Sequence, residues 1–395
     1  MLLYDACKGG EKIDLSVQTT GNDIFGVNLA MDPDPSDPIK YGRFESKANR
    51  MRLCVFETEM WHLWLDSVTL NGMIKTLPAN GVRRSRIIRC FNEAIDTFAD
   101  DPARAQASRS VMQRELGKPA APSDLNVLAV GHAHIDTAWL WPIRETIRKC
   151  GRTFSNQVSL LERYPDYVFG ASQPQHYQFT KEVYPALYER IKELVRQGRW
   201  EVQGGMWVEA DCNIISGESM VRQILHGKNF FNDEFGIKVD MLWLPDVFGY
   251  SAAMPQILRK AGMEYFLTQK LSWSQINEFP HHTFNWRGID GSEVLTHFPP
   301  ENTYNSMLNT EYMVPGRDRF KEKDFIDEFI SLYGIGDGGG GPKEENIEWG
   351  RRMADMEGAP RLRFGRAVDF FSRLSAYKDK VATWEGELYL ELHRG

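Results

Sequence analysis

The chain has 395 residues, of which 42% are apolar and 26% charged, and it carries 22 Phe, 14 Tyr and 11 Trp. A chain of that length and composition can bury a large core, so whole-chain disorder is excluded. Lys+Arg 47 against Asp+Glu 54 gives a net charge of −7, which argues against nucleic acid and anionic membrane as main partners. The first residues lack a basic region followed by an apolar stretch, so no signal peptide is read. No apolar run approaches the ~18 residues of a spanning helix. Five Cys, at 7, 54, 90, 150 and 212, form no CxxC pair, and reduced thiols in a cytoplasm are expected.

In chain order, residues 1–52 carry Gly9-Gly10, Gly21-Asn22 and the run Pro33 to Pro38. These turn signals, with short runs such as Ile24 to Leu29, predict a small β-rich remnant. Residues 53–122 are predicted to be a helical segment and linker. Trp61, Leu65 and Val68 recur at helical spacing, as do Ile87, Phe91, Ile95 and Phe98, with Ser85 as the expected N-cap. Gly117, Pro119 and Pro122 then mark a boundary.

From residue 123 to 395 the pattern alternates. Strands are predicted at Val127–Val130, Tyr167–Ala171, Trp200–Gln203, Val239–Leu244, Tyr265–Thr268 and Val294–Phe298. Helices are predicted around Ile147–Leu161, Leu187–Val195 and Val221–Phe231, with Gly198 expected just past the second. That alternation implies a parallel α/β architecture, an open sheet or a barrel, with ligands at the carboxyl ends of the strands.

Four segments fall at such ends. In GHAHIDTAWLWP, residues 131–142, His132, His134 and Asp136 alternate, and period 2 points all three to one side of an extended segment. Two imidazoles and a carboxylate there are good ligands for Zn²⁺ or a similar ion. QGGMWVEADCN, residues 203–213, offers Glu209 and Asp211, either of which can face a site. In WLPDVFGYS, residues 243–251, Asp246 sits among Trp243, Phe248 and Tyr250, a setting suited to sugar hydroxyls, or it caps the helix near Met254. YGIGDGGGGPK, residues 333–343, resembles a phosphate loop only superficially, because Pro342 stands where the Walker pattern needs Gly-Lys-Ser/Thr. Asp337 is the ionisable group within that loop. His281-His282 reads as a surface pair and His226 as a helix residue. Trp139 and Trp207 lie close enough to the acids to offer sugar-stacking faces.

Taken together and in order, these motifs resemble glycoside hydrolase family 38, the α-mannosidases, in its bacterial and cytosolic branch. The resemblance implies a seven-stranded β/α barrel of the glycoside hydrolase/deacetylase type. It implies a zinc-dependent retaining exo-glycosidase removing terminal α-D-mannose from glycans or oligomannosides. His134 and Asp136 match the family's zinc-binding His-x-Asp, and Asp211 matches the aspartate that is both nucleophile and zinc ligand. Trp139 and Asp246 match sugar-binding positions, and Asp337 is carried over as the acid/base. His132 has no assigned ligand role. The family's fourth zinc ligand is a histidine downstream of the barrel, His393 does not match it, and the chain is expected to be a fragment. Alternatives are a metal-dependent amidohydrolase or sugar deacetylase, and an inactive carbohydrate-binding fragment. Linkage preference stays open, as does a homo-oligomer.

Overall fold

The computed structural model describes residues 8–12 and 54–391. The chain divides into two compact units, Met1–Val55 and Phe56–Gly395. The expected β-rich remnant at 1–52 falls, apart from residues 8–12, outside the described residues. His393 lies outside them as well.

The second unit opens with three helices, α1 (Thr58–Thr76), α2 (Val82–Phe98) and α3 (Ala105–Leu116). Their buried stripes differ from the expected ones. Helix α1 buries Leu65, Asp66, Thr69, Leu70 and Met73. Asp66 can be buried because Arg109 on α3 and Arg352 neutralise it at 2.9 and 2.7 Å. Helix α2 buries Arg83, Ile87, Cys90 and Ala94, while Ile95 is exposed. The rotation follows from contacts with α3: Arg83 pairs with Glu115, and the Cys90 thiol donates to the Val111 carbonyl. Ser85 is not the N-cap. It lies inside α2, with its hydroxyl donating to the carbonyl of Gly81, the residue that holds the cap position.

The alternating part follows in order: β1 (Asn126–His132), α4 (Ile143–Arg163), β2 (Phe169–Ala171), α5 (Pro174–Val183), α6 (Pro185–Arg196), β3 (Trp200–Val202), α7 (Gly217–Phe235), β4 (Met241–Trp243), α8 (Met254–Lys260), β5 (Tyr265–Leu267), β6 (Thr283–Arg287), β7 (Glu293–His297), α9 (Thr310–Arg319), β8 (Glu328–Tyr333), α10 (Glu344–Arg352), β9 (Arg361–Phe364), α11 (Ala367–Leu374) and β10 (Thr383–Glu385). Helix α4 forms because Cys150, Phe154, Val158 and Leu161 make one buried stripe. It ends at Arg163, and its C-cap Tyr164 is extended because proline at 165 disfavours helical backbone in its predecessor. Gly198 follows α6 with a left-handed φ of 70°, a conformation open to glycine without cost.

Among the described residues the strands form two sheets of five. In the first, β3, β2, β1 and β8 lie side by side and parallel, and β9 runs parallel to the first half of β1. The second has the order β10, β6, β7, β5, β4, with β6 and β7 antiparallel and the remaining pairs parallel. The architecture is therefore α/β with largely parallel sheets, and the single closed ring of seven strands expected from the sequence is not what the strand pairing draws. Strands β3 and β4 are the edges where the two sheets stop. The aromatic residues close the first sheet against its helices. Trp200 meets Phe169 and Phe154 edge-on, and its indole N–H donates to the Tyr177 hydroxyl at 2.8 Å. No helix among the described residues is long and apolar enough to cross a membrane. Cys54, Cys90, Cys150 and Cys212 are free thiols.

Candidate active site

The carboxyl ends of β1, β4 and β8 converge on one group of side chains. His134, Asp136, Asp246 and Asp337 each bring a ligand-type atom within 4.8 Å of the others. Strand β1 delivers His134 and Asp136, β4 is followed by Asp246, and β8 leads into the glycine loop that carries Asp337. That loop is pinned in place. Ile135 bridges Gly338, the Asp136 N–H donates to the Asp337 carbonyl at 2.9 Å, and Gln157 on α4 donates to the Gly340 carbonyl at 2.7 Å. A Cβ at Gly339 would stand 2.7 Å from the Thr153 hydroxyl, so the loop can pack on α4 because it lacks side chains there.

His134 is the centre of the group. It is 4% exposed, and its two ring nitrogens face different partners. Nδ1 meets Glu209 Oε2 at 2.7 Å, and Nε2 meets Asp136 Oδ1 and Asp246 Oδ2 at 3.2 Å each. Burial disfavours the imidazolium, but the Glu209 charge and the bonds to Asp136, Asp246 and Glu209 outweigh it and hold the ring well above the usual histidine range. Were a cation to displace the Nε2 proton, the carboxylate on Nδ1 would keep the other proton there and leave the Nε2 lone pair to the cation. One imidazole and three carboxylates are a donor set that suits a divalent cation.

His132 stands apart. Its Nε2 lies 2.6 Å from the Tyr304 carbonyl, and its ring packs edge-on against Trp243 and Tyr304. Burial pushes it down to about 4, so it is a neutral donor to that carbonyl. The period of two therefore holds for His134 and Asp136 and fails for His132, which still belongs to β1.

The acids after β3 split. Glu209 turns inward, accepting at 2.5 Å from the Ser172 hydroxyl as well as meeting His134. Asp211 is exposed, and its carboxylate accepts from the backbone N–H groups of Asn213 and Ile214 at 3.2 and 2.9 Å. The structure thus does not bring Asp211 to His134 and Asp136. It instead brings Asp246 and Asp337, which the resemblance places in the same site as a sugar-binding residue and the acid/base, within reach of that pair. Asp246 does not cap α8, whose N-cap is Ala253. Trp139 is half exposed and meets Trp141 edge-on at 5.6 Å. Trp207 donates to Gln175 at 2.9 Å. His226 is exposed on α7. His281 faces Glu322 at 3.3 Å, while His282 accepts from the Lys321 N–H, so the pair does not gather acids into a site.

Two residues escaped sequence reasoning. Tyr304 donates its hydroxyl to Asp337 Oδ1 at 2.5 Å. Lys270, 1% exposed, pairs with Asp246. Burial disfavours its charge and Asp246 restores part of it, leaving the ammonium below the usual lysine range. Burial first, then the His134 and Lys270 charges against it, leave Asp246 below the usual carboxylate range. A lysine directly after β5, in Thr-Gln-Lys, was the available signal, since an ionisable residue ending a buried strand needs a partner.

The model of the glycosyl hydrolases family 38 N-terminal domain matches residues 124–387. Alpha-mannosidase G of Dictyostelium discoideum is 42% identical over 395 residues, covering 100% of this chain and 36% of that protein. Alpha-mannosidase 2C1 of Homo sapiens is 39% identical over 389 residues, covering 97% of this chain and 36% of that protein. The chain spans little more than a third of the length of these relatives. Among solved structures, an alpha-mannosidase from Enterococcus faecalis V583 superposes with a TM-score of 0.57 at 19% identity, over 67% of this chain and 31% of that one. The last comparison shows a shared fold, and the sequence matches settle the family: the chain belongs to glycosyl hydrolase family 38.

Proposed function

We propose that the chain supplies the catalytic part of a retaining α-mannosidase that removes terminal α-D-mannose from mannose-containing glycans or oligosaccharides with the help of a bound zinc ion. The observation that carries the reading is the group His134, Asp136, Asp246 and Asp337 at converging strand ends, in a chain of this family. Within it, residues 123–395 are the catalytic part, preceded by a helical segment at 53–122 and by residues 1–52. The two sheets are the two halves of a barrel wall. A cytoplasmic location fits the free thiols.

The roles follow from position and chemistry. His134 Nε2 and Asp136 hold the ion, with the Glu209 carboxylate orienting the ring from behind. A bound zinc ion acts as a Lewis acid toward vicinal hydroxyls, and the cis pair at C2 and C3 distinguishes mannose from glucose. Trp139 offers a half-exposed ring face to the sugar. A retaining mechanism needs a nucleophilic carboxylate and an acid/base roughly 5 Å apart. Asp211 takes the first role by the family motif and adds an oxygen to the metal shell, which requires the 211–214 turn to open and swing inward. Asp337, held by Tyr304, takes the second, protonating the leaving oxygen and then drawing a proton from water.

A second reading draws on Asp211 facing solvent. A metal-activated water, attacking without a covalent intermediate as in an amidohydrolase or sugar deacetylase, needs only the group already assembled. The test of the proposal is hydrolysis of an aryl α-mannoside by a version extended to the length of the relatives. Release of the aryl group, lost with a chelator and restored by Zn²⁺, is the expected result. Absence of turnover on α-mannosides alongside deacetylation of an N-acetylated sugar would replace the first reading with the second.

A further inference from the structure

Trp139 stands on a turn, and that turn is built around one hydroxyl. Thr146, near the start of α4, is fully buried. Its Oγ1 donates to the Asp136 carbonyl at 3.1 Å and accepts from the Ala138 N–H and the Trp141 indole N–H at 3.0 Å each. A hydroxyl has one proton to give and two lone pairs to fill, so this one is fully used. We propose that the Thr146 hydroxyl is the positioning group that sets the 136–141 turn and so presents the Trp139 ring to the sugar. The inference rests on the reading that Trp139 meets the sugar.

The turn needs a hold of this kind. Ala138 has a left-handed φ of 63°, which a residue with a Cβ adopts at a cost and keeps only where its neighbours fix it. The bond from its N–H to Thr146 supplies that fixing. Further along, Trp141 is 5% exposed, with its indole N–H on Thr146 and the Lys149 ammonium 4.1 Å from its ring centroid. Trp139 rests edge-on against that ring, and its N–H donates to the Trp141 carbonyl at 3.2 Å. Thr146 thus reaches Trp139 by two arms, through the Ala138 backbone and through the Trp141 ring. Asp136 has holds of its own, its N–H on the Asp337 carbonyl and the bridge from Ile135 to Gly338. Loss of the hydroxyl therefore releases Trp139 and leaves Asp136 in place. A ring stacked on the sugar touches ground state and transition state alike, so misplacing it weakens binding and spares the chemical step. Thr146 is a positioning residue, because it acts through Trp139.

The experiment is steady-state kinetics on an aryl α-mannoside, with zinc affinity measured alongside, in the version extended to the length of the relatives. The forms are wild type, Thr146→Val, Thr146→Ser, Trp139→Ala and the Thr146→Val/Trp139→Ala double variant. Thr146→Val keeps the shape and removes the hydroxyl. It is expected to raise KM about tenfold, with kcat and zinc affinity within about threefold of wild type. Thr146→Ser keeps the hydroxyl and is expected to match wild type. Trp139→Ala is expected to raise KM at least as much as Thr146→Val, and the double variant to be no worse than Trp139→Ala, because the two changes remove one contact. A wild-type KM in Thr146→Val overturns the proposal. So does a tenfold or greater loss of zinc affinity in that variant, which would make Thr146 a support of Asp136, and so does a double variant in which the two effects multiply. If Thr146→Val does not fold, Trp141→Phe removes the indole N–H and leaves Thr146 intact. It is expected to raise KM about threefold or more, and an unchanged KM there overturns the proposal. A wild type that turns over while Trp139→Ala keeps its KM overturns the sugar contact of Trp139 and this role with it. A wild type without turnover overturns the reading of function itself, and the role falls with that reading.

Discussion

Two segments leave the first sheet at the ends of β1 and β3, either side of β2, and end differently. The one after β1 carries His134 and Asp136 into the site, held by the Ile135–Gly338 bridge, the Asp136 N–H on Asp337 and Gln173 donating to the Ile135 carbonyl at 2.9 Å. The one after β3 is tied at Glu209, whose N–H donates to the Gln173 side chain at 3.1 Å, and again at Asn213, whose side-chain amide donates to the Phe248 carbonyl at 3.0 Å. Between those ties the chain turns on itself, and the Asp211 carboxylate accepts from the N–H groups of Asn213 and Ile214. A side chain reaches a site when the backbone beneath it is pinned from outside. An aspartate with free N–H groups two and three residues on can satisfy itself locally instead.

Substitutions in the second segment give the sharpest tests of that contrast. In a version extended to the length of the relatives, Asp211→Ala is expected to lower kcat on an aryl α-mannoside by about 10³ or more, as for loss of a nucleophile, with circular dichroism unchanged. Wild-type turnover would leave Asp211 as a turn residue only. Glu209→Gln is expected to weaken zinc affinity about 10- to 100-fold, the usual cost of removing the group that orients a metal-binding histidine. Equilibrium dialysis measures this, and unchanged affinity would show that His134 is held without Glu209.

Smaller effects probe the strands beneath. Glu201 on β3 accepts from the Ala367 and Val368 N–H groups at 2.8 and 2.9 Å, and burial pushes it up to about 7 despite those bonds. An acid raised on folding binds its proton more tightly when folded. It supports the fold most below its unfolded value near 4.5, and that support is lost as pH rises through about 7. The range is about 3 kcal/mol. Denaturant midpoints for Glu201→Gln should therefore change less between pH 5 and 7.5 than those of wild type, and parallel profiles would contradict the assignment. On β1, His132→Phe should cost about 1–3 kcal/mol by leaving the Tyr304 carbonyl unpaired, with zinc affinity unchanged. A large loss of zinc binding there would return His132 to the ligand set.

The sequence made the alternation legible because it rests on local period. The buried run at Val127–Val130 and the stripe from Cys150 to Leu161 lie in the elements they predict, and the run at Trp200–Gln203 overruns β3 by one residue. The helix faces of α1 and α2 were hidden because long-range ion pairs set them: Arg352 lies 286 residues from Asp66, and no period in the sequence links the two. Closure of the sheets was not legible either, since pairing between distant short strands leaves no local pattern. Within the site, His134 and Asp136 were visible as a spaced pair. The approach of Asp246 and Asp337, the inward turn of Glu209 and the Lys270 pair depend on which loops the fold brings together.

The most direct test of the central claim is to trap the intermediate. A 2-deoxy-2-fluoro mannosyl donor, incubated with the zinc-loaded, extended version and followed by peptide mapping, is expected to leave one sugar on Asp211. An adduct on Glu209, or steady turnover with no adduct on any carboxylate, would contradict the account.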